Sequence, residues 1–127
     1  MATPRLTARP GTGRRAEDLA AELLEARGLR IVARNWRRPE GEIDLIADDQ
    51  GTCVFVEVRS RTGEDQGHPL ESITARKRAQ VIRAARLYLD EEPTRAAAYR
   101  FDVIGVTFPT DEGLPTLLHI PAAFETS

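Results

Sequence analysis

Two carboxylates stand where strands rarely carry them. In the stretch GEIDLIADDQGTCVFVEVRSR, residues 41–61, Asp44 lies between Ile43 and Leu45, and Glu57 between Val56 and Val58. Strands favour β-branched and aromatic residues and are depleted in Asp, so an acid inside an apolar run marks either a water-facing position or a site. Side chains alternate faces along a strand. Glu42, Asp44 and Ile46 therefore share a face of the first run, and Phe55, Glu57, Arg59 and Arg61 share a face of the second. Asp48, Asp49, Gln50 and Gly51 between the runs signal a hairpin turn. Any bulge-free hairpin with an even number of loop residues puts Asp44, Glu57 and Arg59 on one face, with Asp44 opposite either Phe55 or Glu57.

Neighbouring carboxylates raise each other's pKa unless a cation sits between them. Arg59 can supply that cation. So can a divalent ion such as Mg²⁺ or Mn²⁺, which takes one or two carboxylates together with a phosphate. The competing account is a salt-bridge cluster on a solvated sheet face. The other hairpin face is expected to carry Ile43, Leu45, Val54, Val56 and Val58, so helices covering both sides would partly enclose the acids.

The elements that must position these groups are legible in outline. Residues 13–27 read as a helix stopped by Gly28, with Ala16, Leu19, Ala20, Leu23 and Leu24 on one stripe. Glu17 falls at the edge of that stripe, where an ordinary boundary residue is the plain alternative to a functional acid. Residues 29–35 form a strand that ends in a loop with Trp36, Arg37, Arg38 and Pro39, followed by strands at 42–47 and 53–61. Thr74 can cap a second helix running to about residue 90, with Val81, Ile82, Ala85, Tyr88 and Leu89 inward and Arg76, Arg83 and Arg86 outward. Residues 100–108 give a fourth strand and 116–120 a fifth. The order α-β-β-β-α-β with one extra strand predicts an α/β fold, a mixed sheet flanked by helices.

The chain of 127 residues is long enough for one domain with a real core. Residues 1–12 read as a disordered basic tail, and 13–124 as a single domain. Hydrophobic content of 41% and charged content of 30% suit a soluble globular chain. The absence of a long apolar run or an apolar leader points to the cytoplasm and away from membranes. Cys53 is the only cysteine, which excludes an internal disulfide and a cysteine-based zinc site. Residues 1–38 hold nine arginines and four acids, 39–57 six acids and no base, and 74–89 five bases and no acid. Basic blocks flanking an acidic centre suit a polyanion held around a metal, whereas solvated arginine-rich helix faces are the bland alternative.

The segments NWRRPEGEIDLIADDQGTCVFVEVRSR, HPLESITARKRAQVIRAARLYL, YRFDVIGV and LLHIPAAF resemble the YraN-like family of small bacterial proteins of uncharacterised function. That family is similar to the PD-(D/E)xK nuclease superfamily, in its Holliday-junction-resolvase-like branch. The resemblance implies a restriction-endonuclease-like αβββαβ core and metal-dependent hydrolysis of phosphodiester bonds in DNA, branched DNA included. Asp44 would stand for the first acid of the motif, Glu57-Val58-Arg59 for its (D/E)-x-K, and Glu17 for the helical acid. Mg²⁺ or Mn²⁺ would be held by Asp44 and Glu57. Arg14, Arg15, Arg76, Lys77, Arg83 and Arg86 would face nucleic acid, and the resolvase branch suggests a homodimer.

Arg59 departs from the motif lysine, and an arginine cannot give up its proton to act as a base. Lys77, the one lysine in the chain, is a substitute if it is more than a surface lysine. His68 and His119 lack ligand spacing and read as structural. Trp36 reads as packing against the sheet edge in preference to stacking on a base. Besides an endonuclease, the residues allow a nucleic-acid-binding module that does not cut, or a protein-interaction scaffold whose acids merely pair with arginines.

Overall fold

In the computed structural model, residues 11–63, 67–92 and 98–125 are described, with side chains from residue 13 onward. The tail expected at 1–12 lies outside them up to residue 10, and the first helix already begins at Gly11. The elements run α1 (Gly11–Ala26), β1 (Arg30–Arg38), β2 (Gly41–Asp49), β3 (Thr52–Thr62), a 3₁₀ turn (Pro69–Ser72), α2 (Ala75–Glu91), β4 (Ala98–Phe108) and β5 (Thr116–Phe124). This is the α/β core expected from the sequence, with one added strand. Among the described residues no helix is long and apolar enough to cross a membrane.

The five strands form one sheet in the order β1-β2-β3-β4-β5. β3 and β4 are parallel because α2 returns the chain between them, and the other neighbours are antiparallel. Each helix covers one face. Ala16, Ala20 and Leu24 of α1 pack on Leu45, Val54, Val56, Ile104 and Val106. Val81, Ala84, Ala85 and Tyr88 of α2 pack on Ile46, Phe55, Phe101 and Val103. The α1 helix ends where Leu29 N–H donates to the Leu24 carbonyl and Gly28 N–H to that of Glu25, with Gly28 at φ 92°. That is a glycine-closed C-cap.

Two expectations need correction. Trp36, Arg37 and Arg38, expected in a loop, belong to β1. β1 is an edge strand carrying Arg30, Arg34, Arg37 and Arg38, so its sequence lacks the apolar alternation of a half-buried strand. Ile43, expected on the α1 side, packs in the α2 cluster. The pairs Ala33↔Ile46 and Trp36↔Ile43 both face α2 although three residues separate them on each strand. Asn35, left-handed at φ 52°, lies between them and breaks the alternation.

Candidate functional site

The register that delivers the acids is set by the β2–β3 turn. Gln50 and Gly51 both have positive φ, 51° and 98°. This is the two-residue hairpin geometry whose twist matches the flanking strands. Asp49 therefore pairs with Thr52, and the ladder runs to Leu45↔Val56. One step further Asp44 stands across from Glu57. There the side chain takes over from the ladder, and Asp44 Oδ2 accepts a hydrogen bond from Val58 N–H at 2.8 Å.

Both acids are buried, Asp44 to 7% exposure and Glu57 to 3%. Burial, then the Glu57 charge, pushes the Asp44 carboxyl from 3.8 up to about 7, against the pull of the Val58 N–H and Lys77. Burial also raises Glu57, opposed by the positive charges of Lys77 and Arg59. Glu57 Oε2 meets two cations, Arg59 Nη1 at 3.5 Å and Lys77 Nζ at 3.6 Å. Glu57 Oε1 is buried with no hydrogen-bond partner. Leaving a buried acceptor unmade costs roughly 1–3 kcal/mol, more when it is charged. A divalent ion between Asp44 and Glu57 would relieve both the orphaned oxygen and the repulsion, so the donor set fits a hard cation.

The cations are held from outside the hairpin. Arg59 Nε donates to Ser72 Oγ at 3.0 Å and Nη2 to the Ser72 carbonyl at 3.3 Å. Ser72 belongs to the 3₁₀ turn, capped by His68, and Pro69 of that turn lies against Gly105. A Cβ at Gly105 would come within 2.3 Å of Pro69 Cγ, so glycine is what lets the turn dock on β4. Lys77 sits in the first turn of α2, where Thr74 Oγ1 accepts from its backbone N–H at 3.0 Å. The plain reading of Lys77 as a surface lysine is thereby corrected, since the cap aims the first turn at Glu57.

Glu17 is buried at 4% exposure, not a boundary residue, and accepts a hydrogen bond from Asn35 Nδ2 at 3.0 Å. Among the described residues no group of three His, Cys, Asp or Glu side chains is placed to hold a metal, so Glu17 does not complete a ligand triad. The basic residues separate. Arg14 and Arg15 are on α1, Arg76, Arg83 and Arg86 are exposed on α2, and the two helices cover opposite sheet faces. Arg15 lies over the Phe108 ring at 5.2 Å. Trp36 packs edge-on against Tyr88 at 5.5 Å with Arg38 above it at 4.3 Å.

The signal that flags Asp44, an acid within an apolar strand, also applies to Asp102, which the sequence reading passes over. Asp102 is fully buried but saturated. It accepts from Arg100 Nε at 3.0 Å and the Ala122 N–H at 3.0 Å, and lies 2.8 Å from His119 Nε2. Arg100 continues to Asp49 at 3.0 Å. Despite burial, the hydrogen bonds of His119 and Arg100 hold the Asp102 carboxyl below the ordinary range. His119 is thus structural, as its spacing suggests. Two buried acids with raised pKa and an orphaned oxygen stand against one that is neutralised. Only the first arrangement leaves a buried carboxylate oxygen without a partner.

The model of a family described as "Uncharacterised protein family UPF0102" matches residues 16–106. A UPF0102 protein of Clavibacter michiganensis subsp. michiganensis is 44% identical, over 82% of this chain and 88% of that protein. One from Pelotomaculum thermopropionicum is 44% identical over 92% and 98%, and one from Nocardia farcinica 42% identical over 98% and 100%.

Proposed function

Given that the chain belongs to the UPF0102 family, we propose that it is a metal-dependent, endonuclease-like protein acting on phosphodiester bonds in DNA. The observation that carries the reading is the buried Asp44–Glu57 pair, whose Glu57 Oε1 has no partner. Asp44 and Glu57 would hold Mg²⁺ or Mn²⁺. Such an ion supplies Lewis acidity toward a phosphate oxygen and lowers the pKa of a bound water. Arg59 and Lys77, both within 4 Å of Glu57 Oε2, would place positive charge where the phosphate gains negative charge. Arg76, Arg83 and Arg86 on one side, and Arg14 and Arg15 on the other, would neutralise flanking phosphates.

The test is incubation with branched, flapped and linear DNA in Mg²⁺ or Mn²⁺ against a chelated control, with Asp44→Asn in parallel. Cleavage that needs the metal and Asp44 supports the reading. No cleavage by a folded wild type, on any of these substrates, refutes the enzyme. One observation favours a second reading, a binder that does not cut. Arg59 stands at the motif lysine and its guanidinium is engaged by Ser72. Under that reading the wild type binds DNA without cutting, and Arg59→Lys gains metal-dependent cleavage.

A further inference from the structure

Asn35 is a residue that no sequence signal singled out. It is one of three described non-glycine residues with positive φ, at 52° in the interior of β1. Non-glycine residues seldom adopt this conformation, and Asn does so more readily than most. The flanking pairs Arg34↔Leu45 and Trp36↔Ile43 leave Asn35 across from Asp44, where β2 also parts from β3. Its side chain donates, through Nδ2, to the buried Glu17 Oε1 at 3.0 Å. One residue therefore touches the α1 acid and stands beside the β2 acid.

We infer that Asn35 is a positioning residue, whose left-handed backbone across from Asp44 and amide bonded to Glu17 tie the α1 acid to the Asp44 end of the site. The inference rests on the reading of Asp44 and Glu57 as holders of a divalent ion. Glu17 then acts from outside the ligand pair, on the ion's surroundings, consistent with its exclusion from any three-residue ligand group. Partners that orient groups around a metal are worth about 10–100-fold in affinity. Strain at a special φ is kept only where the surroundings require it.

The experiment separates the amide from the backbone. Asn35→Gly keeps the left-handed conformation at no steric cost but deletes the donor. Calorimetric titration with Mn²⁺ alone, without DNA, is expected to show about tenfold weaker binding, while thermal unfolding in chelator stays a single cooperative transition with its midpoint lowered by the lost bond to buried Glu17. In a Glu17→Gln background the same change should weaken binding no further. Asn35→Asp, similar in shape and at home in the left-handed region, replaces the donor by an acceptor and carries the same expectation if the glycine variant does not fold. Undiminished Mn²⁺ binding by the folded variants, or losses that add to that of Glu17→Gln, would overturn the role of Asn35 and leave the ion reading standing. A wild type that binds no Mn²⁺ overturns both.

Discussion

Asp44→Asn should stabilise the metal-free protein, and increasingly so as pH rises. The Asp44 carboxyl is pushed from 3.8 up to about 7. Between those values the folded chain keeps a proton that the unfolded chain has released, so each rise in pH favours unfolding. At about 1.4 kcal/mol per tenfold change in proton affinity, the acid destabilises the fold by roughly 2 kcal/mol at pH 5 and roughly 4 kcal/mol at pH 8. Asparagine escapes this cost. Its carbonyl can still accept from Val58 N–H, and its amide can donate toward Glu57. Urea unfolding in chelator at pH 5, 6, 7 and 8 should show the variant's advantage growing by about 2–3 kcal/mol across the series, then levelling off. An Asp44→Asn variant less stable than wild type at pH 8, or an advantage independent of pH, would refute the account of the site as an unrelieved acid pair.

Metal binding should run the other way with pH, because an ion must displace the proton that Asp44 holds. Mn²⁺ affinity should tighten by up to about tenfold per pH unit between roughly pH 5.5 and 7, and calorimetry in buffers of different ionisation enthalpy should detect about one proton released. Asp102→Asn breaks a saturated buried cluster and should cost about 3–5 kcal/mol at neutral pH without weakening Mn²⁺ binding. Because the Asp102 carboxyl is held below 3.8 in the fold, that deficit should persist down to about that pH and shrink only below it, in acid unfolding followed by circular dichroism. Replacing Arg76, Arg83 and Arg86 together by Ala should weaken DNA binding and lower the slope of log K against log salt by up to about three, with the unfolding midpoint unchanged. Fluorescence anisotropy at several salt concentrations measures it.

The α-β-β-β-α-β order and the placing of Asp44 across from Glu57 were legible because hydrophobic period and turn chemistry are local rules. Gln50 and Gly51 sit at consecutive positive φ, and such a turn leaves one register. β1 was cut short because an edge strand rich in arginine hides its period, and β5 because it continues through Pro121 to Phe124. Lys77 was ambiguous for a different reason. Its approach to Glu57 depends on the path of the segment between β3 and α2, which the 3₁₀ turn and the Pro69–Gly105 contact pin in space. Asn35 was invisible, since nothing in NWRR distinguishes a left-handed strand residue from a loop residue. Asp102 was visible and unread. What told it apart from Asp44 was its partners, and those arrive from β5 and Arg100, far along the chain.

The turn at Gln50 and Gly51 also restricts how this protein can vary in length. Surface loops usually tolerate insertions of any size, because closing a slightly longer loop costs little. This one does not share that freedom. Adding a single residue between β2 and β3 shifts one strand by one position against the other, and a shift of one exchanges the two faces of the sheet. Glu57 would then point into the apolar layer under α1, and Val56 or Val58 would enter the space beside Asp44. An odd insertion survives only where a bulge absorbs the extra residue. Length changes at this turn, whether made by drift or by design, should therefore come in twos.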